Sequence, residues 1–286
     1  MFAASCNIPV VTGVRRCSQR IGVRRCSQVF VGVRKGLVFA GIFVNQYRGE
    51  HVLFGVQSMI FASNMRNIIK LSTKSSHMRL FGSFAENALD TKKTAVVFIE
   101  YQNEFASEGG KLHGAVKAVM DKNNMLKKSA ELAAYARGKG VKIIHAPITF
   151  TDDYKEIRPN GFGILANIRD GGVFKASEWG GAFCKEMTPS EEDIIVHGKR
   201  GLCGFASTNL EFILRQNNIE TVILGGFLTN CCVESTMRVA YEKGFNVITL
   251  TDGTAAASIE QQEAACKFNY PMFSVPMTVE EVMKKI

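Results

Sequence analysis

Acidic residues are almost absent from the first 85 positions, where Glu50 alone stands against twelve lysines and arginines. Residues 86–286 hold 23 basic and 25 acidic residues, so the net charge of +9 belongs to the N-terminal stretch and not to the body. A nearly neutral body carries no electrostatic footprint for nucleic acid. No apolar run reaches the roughly 20 residues that span a bilayer, since "GLVFAGIFV" and "HVLFGVQSMIFA" both fall short, and no membrane partner is expected. Neither G-x-G-x-x-G nor G-x-x-x-x-G-K-[ST] occurs, which removes the common phosphate cradles of nucleotide-binding folds. No secretory signal is recognisable. The eight cysteines, Cys6, Cys17, Cys26, Cys184, Cys203, Cys231, Cys232 and Cys266, form no C-x-x-C pair. A disulfide framework and a structural zinc are therefore both excluded from the expectations.

What the N-terminal stretch does have is arginine, serine and a short repeat. "GVRRCSQ" at 13–19 returns at 22–28, and "GVRKG" at 32–36 echoes it. So few copies of a nine-residue period are too little for a solenoid. An Arg-rich, acid-poor, Ser-containing composition is that of an organelle transit segment. Residues 1–85 are accordingly expected to be a disordered leader directing the protein to the mitochondrion, with the plastid as the alternative. Translation from Met65 would leave "MRNIIKLSTKSSHMRLFGSF" as a shorter leader, and a start farther downstream would leave the protein cytoplasmic.

From residue 94 the pattern changes. "TAVVFIE" (94–100) is an unbroken apolar run ending in an acid, as a strand buried on both faces requires. Helical spacing follows through "VKAVMDKNNMLKKSAELAAYARGKG", and further strands are predicted at 141–148, 192–198, 220–227, 245–253 and 272–276. Helices are predicted in "STNLEFILRQNN", "CVESTMRVAYEKG" and "TVEEVMKKI". Strands alternating with helices imply a mostly parallel sheet in a three-layer αβα sandwich, Rossmann-like in class, over 86–286.

In such sheets the working groups lie just beyond the carboxyl ends of the strands. That rule brings Glu100, Lys199 and the adjacent Cys231 and Cys232 to one rim. Cys232 falls where a helix begins, before an apolar stripe of Val233, Met237, Ala240 and Tyr241. A helix N-terminus and a nearby ammonium stabilise a thiolate, with pKa values of about 3.5–7.5 in such places. Cys232 is the expected nucleophile, and a depressed thiol pKa is the corresponding expectation. Free cysteines are among the most buried residue types, so a packed structural thiol is the competing reading. The long Gly-rich segment 151–191 has the length of a lid or binding loop and carries the single tryptophan, Trp179.

Three motifs together, "VVFIEYQNEF" (96–105), Lys199 with "GFASTNL" (204–210), and "GFLTNCCV" (226–233), resemble the isochorismatase-like cysteine hydrolase superfamily. That superfamily includes nicotinamidases and N-carbamoylsarcosine amidohydrolases, and the resemblance covers about residues 93–286. It implies Cys232 as nucleophile, Lys199 as catalytic lysine and Glu100 as the acid, in a position where most relatives carry Asp. It also implies a cis peptide before Thr229, with backbone N–H groups of Thr229 and Cys232 forming an oxyanion hole. The implied activity is hydrolysis of a C–N bond in a small amide or ureido compound through a thioester, with no cofactor. Apart from the resemblance, Phe105 and Trp179 are candidates to stack on a planar substrate, with packing in the core or lid as the equal alternative, and a homo-oligomer is expected as for relatives.

Nicotinamidases of the superfamily bind a metal through an Asp and two His. Here "HAPITFTDDYKEI" offers His145 alone, so no metal is implied and nicotinamide is disfavoured. Asp252 is a rival carboxylate whose plainer reading is a turn or cap, and Arg200 a candidate carboxylate binder whose plainer reading is an exposed loop residue. A redox pair at Cys231–Cys232, isochorismatase-type hydrolysis of another small molecule, and a catalytically silent binding relative remain as alternatives.

Overall fold

The computed structural model describes residues 14–20, 23–34, 37–45 and 87–286, in two compact units, Met1–His77 and Met78–Ile286. In the first unit β1 (Val14–Arg20), β2 (Val23–Arg34) and β3 (Leu37–Asn45) form an antiparallel meander. The two copies of the sequence repeat lie opposite each other there, with Cys17 and Cys26 in register. The rest of the leader, and with it most of the expected disorder, lies outside the described residues.

The second unit is built on six parallel strands in the order β6-β5-β4-β7-β8-β9. These are β4 (Thr94–Ile99), β5 (Lys142–Ala146), β6 (Ile194–Ile195), β7 (Thr221–Phe227), β8 (Asn246–Ala255) and β9 (Val275–Met277). Every residue of β4 and β7, the central pair, is buried. Both faces of these strands are covered, which is why they read as unbroken apolar runs.

Alternate residues of β4 feed two cores. Val96 and Phe98 pack beneath α2 (His113–Asn123), α3 (Met125–Gly138) and the C-terminal α9 (Val279–Lys285). Ala95, Val97 and Ile99 pack beneath α5 (Leu210–Gln216), α6 (Glu234–Glu242) and the turn of α8 (Tyr270–Phe273). The three layers expected from the sequence are therefore present. Short α1 (Asn103–Ala106), α4 (Gly163–Gly171) and α7 (Ile259–Ala264) are the remaining α-helices among the described residues.

Two details depart from the expected elements. The single helix expected through 116–140 is split at Asn124, whose left-handed backbone (φ 51°) caps α2 and starts α3. Asparagine tolerates that conformation better than other non-glycine residues. The strand expected at 192–198 is reduced to Ile194–Ile195 at the sheet edge, although the Val196 N–H still donates to the His145 carbonyl (2.8 Å).

β4 and β7 approach most closely where the site begins. Gly226 has φ +130°, and a Cβ there would stand 2.0 Å from the Ile99 carbonyl oxygen. No side chain fits between the two strand ends. Gly226→Ala is expected to cost about 3 kcal/mol or more of stability, read as a lower urea midpoint with unchanged slope. A midpoint equal to that of the parent would show that the strand ends separate freely.

Candidate active site

Glu100 follows β4 directly with φ 59°, a left-handed backbone on a residue with a full side chain. Such a conformation costs about 1–3 kcal/mol and persists where the surroundings enforce it. The motif that follows supplies the enforcement. Gln102 Nε2 donates to the carbonyls of Ile148 (2.8 Å) and Gly181 (2.7 Å), and its Oε1 accepts the Ile148 N–H (2.9 Å). Asn103 Nδ2 donates to the Trp179 carbonyl (2.8 Å), and Glu104 Oε2 accepts the Lys111 N–H (2.8 Å). Tyr101–Phe105 thus fasten the end of β4 to the long loop on the neighbouring side of the rim.

Lys199 is fully buried, and Glu100 is 2% exposed at its side chain. The Lys199 Nζ donates to the Glu100 carboxylate and to the Gly201 carbonyl (2.7 Å). Burial alone would lower the lysine pKa. The Glu100 charge, with lesser help from Cys232 and the hydrogen bond, outweighs it and raises the pKa above the ordinary 10.5. The resulting stabilisation is complete below that ordinary value and is lost as pH rises through the folded-state value.

Cys232 lies in a π-helical turn, Thr229–Val233, that joins β7 to α6. Thr236 Oγ1 donates to the Cys232 carbonyl (2.7 Å) and accepts the Gly204 N–H (2.8 Å), tying this turn to the segment after Lys199. The peptide bond between Phe227 and Leu228 is cis, one bond earlier than the resemblance implies. Glu100 and Cys232 line the same cavity of about 320 Å³, whose walls include Phe105, Ile148, Phe174 and Leu228. Phe105 is stacked on Phe227 with ring centroids 5.1 Å apart.

The thiols do not behave as expected. The hydrogen bond with Cys231, then burial, then the Glu100 charge push the Cys232 thiol well above 9.0, and Lys199 opposes them without prevailing. Cys231 is lowered, first by its bond to Cys232, with Lys199 assisting against burial and Glu100. The expectation of a depressed Cys232 pKa is corrected accordingly. The bond to Cys231 and burial, with Glu100 adding to them, favour the protonated Cys232 thiol against the pull of Lys199.

Other expected site residues are placed elsewhere. Trp179 is 55% exposed, lies against Gly109 and is not part of the cavity wall. Thr229 is buried, with its hydroxyl bonded to Gln262 (2.5 Å) and its carbonyl accepting from Tyr270 (3.0 Å); Leu228, one residue earlier, reaches the cavity. Arg200 is paired with Glu156 (3.0 Å) outside the cavity. Asp252 pairs with Lys128 (2.8 Å) and accepts the Val279 N–H (2.8 Å), the cap role of the plainer reading. His145 is buried beside Asp193 (3.2 Å) and Phe98, with burial lowering its pKa. The motifs did not flag Lys111, Asn167, Ile164 or Leu202 of the cavity wall, because they lie in segments without a recognisable signal.

A parallel αβα sheet with a carboxylate, an ammonium and a thiol at the carboxyl rim of its central strands defines an enzyme of the α/β class. The family model described as "Isochorismatase domain" matches residues 94–281, and the chain belongs to the isochorismatase family of hydrolases. The isochorismatase family protein YecD of Escherichia coli O157:H7 is 30% identical over 198 residues, which are 69% of this chain and 98% of YecD. The ureidoacrylate amidohydrolase RutB of Caulobacter segnis is 29% identical over 196 residues, 65% of this chain and 82% of RutB. Among solved structures, a cysteine hydrolase from Pseudomonas syringae pv. phaseolicola 1448A shares the fold with a TM-score of 0.61 at 23% identity, over 69% of this chain and 94% of that one.

Removing one member of a buried ion pair strands the other. Lys199→Met is expected to cost about 3–5 kcal/mol of stability, and the double change Lys199→Met with Glu100→Gln to recover most of it. Urea unfolding of the four proteins reads the coupling. Additive losses would mean that the two charges do not depend on each other.

Proposed function

We propose that the protein hydrolyses the C–N bond of a small amide or ureido compound through a thioester on Cys232. One observation carries the reading: the buried Glu100–Lys199 pair acts electrostatically on a Cys232 thiol that opens into the same cavity. The amidohydrolase named among the relatives supports the bond type.

Because Cys232 rests protonated, the first step is proton transfer from Sγ to the Glu100 carboxylate. The thiolate forms a C–S bond to the substrate carbonyl carbon, and the carbonyl electron pair moves to oxygen. We assign the oxyanion to backbone N–H groups of the turn, Cys232 with Leu228 in place of Thr229, since Leu228 lines the cavity. Collapse breaks the C–N bond while Glu100 returns its proton to the departing nitrogen. Water then attacks the thioester, giving its proton to Glu100, and the C–S bond breaks to release the acid and restore the thiol. Lys199 stays charged throughout, holding Glu100 in place and compensating each negative charge as it forms.

Ammonia release from a panel of small amides and ureido compounds tests this. Cys232→Ala is expected to lower kcat/KM at least about 10,000-fold. Cys231→Ala is expected to retain turnover and to shift alkylation of Cys232 to lower pH, since the hydrogen bond that raises the Cys232 pKa is gone. Full turnover in Cys232→Ala would eliminate the thioester route.

From the composition of residues 1–85 we also propose a mitochondrial address, and from the resemblance a homo-oligomer. A fluorescent protein fused after residue 85 is expected to co-localise with a mitochondrial dye, and diffuse or plastid fluorescence would refute the address.

A further inference from the structure

The mechanism needs the Cys232 sulfur and the N–H groups of Leu228 and Cys232 in fixed positions. All of them belong to the π-helical turn Thr229–Val233 or to the residue before it. A second π-helical turn, Ala265–Asn269, lies between α7 and α8, and the three run on as one helix. Such turns are rare and concentrate at functional sites. The second contributes no residue to the cavity wall, so its use lies in what it holds.

Its extra residue sets a register. Gln262 and Tyr270 are eight positions apart. In an unbroken α-helix that is about 800° of rotation, which leaves the two side chains about 80° apart. One inserted residue returns them to about seven α-helical steps, within about 20° of a common face. Both then reach Thr229. Its hydroxyl donates to Gln262 Oε1 (2.5 Å), and its carbonyl accepts from the Tyr270 hydroxyl (3.0 Å). Asn269 Nδ2 donates to the carboxylate of Glu234 (2.9 Å), the residue after the nucleophile turn. Cys232 is thus bracketed by ties at Thr229 and Glu234, all from one helix.

Gln262 joins two parts of the cavity wall as well. Its Oε1 also accepts the Ala256 N–H (3.0 Å), and its Nε2 donates to the Thr251 carbonyl (2.9 Å) and the Thr254 hydroxyl (3.1 Å). Every donor and lone pair of the carboxamide is used. Leu228 and Ala257, the chain neighbours of Thr229 and Ala256, both line the cavity. Tyr270 is fully buried, and burial pushes its phenol well above the ordinary 10.0, so it remains a donor.

We propose that Gln262, Asn269 and Tyr270 are positioning residues for the hydrolysis, setting the turn that presents Cys232 and its neighbouring N–H groups to the substrate carbonyl. This rests on the thioester reading above. None of the three touches the substrate. They act through Thr229 and Glu234, and a displacement of the turn by a fraction of an ångström is felt in the acylation step because attack requires near-contact geometry.

Tyr270→Phe and Thr229→Val each delete one hydroxyl at nearly constant volume and test the two ties separately. Val282→Ala, in the opposite core beneath α9, is the control for lost stability alone. Full-length proteins are assayed by ammonia release on whichever of acetamide, benzamide, methylurea and N-carbamoylglycine the wild type hydrolyses fastest, with thermal midpoints measured in parallel. Tyr270→Phe and Thr229→Val are each expected to lower kcat about 10-fold with KM within about 2-fold, and Val282→Ala to lower the midpoint with kcat within about 2-fold. A purely structural role would lower the midpoint of Tyr270→Phe and Thr229→Val and leave kcat per folded chain at the wild-type value, and that result overturns the proposal while sparing the thioester reading. An equal fall of kcat in Val282→Ala overturns it in the same way. Wild-type turnover that survives Cys232→Ala, or no turnover with any compound, overturns both.

Discussion

A carboxylate and an ammonium, both shielded from solvent, meet at the rim between the two central strands, and the surrounding structure is arranged to hold them there. Removing such ions from water costs several kcal/mol each unless geometry returns it. The left-handed backbone of Glu100 aims the acid, the Gln102 clamp fixes the chain on either side of it, and the Gly201 carbonyl takes a second proton of the ammonium. The close approach of Gly226 to Ile99 brings the cysteine-bearing turn to the same place. The Gly226–Ile99 approach lies at the ends of the two central strands themselves, and the other devices lie in segments that follow strands.

After the Cys231 hydrogen bond and burial, the Glu100 charge is the third influence that keeps the proton on the Cys232 thiol. A thiolate placed beside Glu100 would be a second negative charge in a poorly solvated space, and one ammonium compensates one anion well and two badly. The Cys232 pKa is raised accordingly, and in the mechanism we propose its proton moves to Glu100 as the C–S bond forms. Most relatives implied by the resemblance use the shorter Asp at this position. Here the longer Glu100 is accommodated, since its carboxylate is buried and bonded to Lys199.

Much of this was legible in the sequence. "TAVVFI" and "TVILGGF" announce doubly covered strands because burial on both faces leaves no polar positions, and strand-end placement then selects Glu100, Lys199 and Cys232. What escaped depends on distances between segments far apart in sequence. The split at Asn124 is a single-residue backbone choice within an otherwise helical pattern. Trp179 is a large aromatic in the right loop, yet it faces outward, because loop length does not fix side-chain direction. The sign of the Cys232 shift hinged on the hydrogen bond with Cys231 and on the depth of burial, neither of which spacing reveals.

The account stands on a neutral Cys232 thiol that becomes acylated with the help of the Glu100–Lys199 pair. The most direct measurement is mass spectrometry of the intact protein, acid-quenched during turnover of a slowly processed amide and then digested. The account predicts an acyl adduct on the peptide at Cys232, absent from Glu100→Gln under the same conditions. Turnover with an adduct confined to Cys231, or an equal yield of adduct without the Glu100 carboxylate, would contradict it.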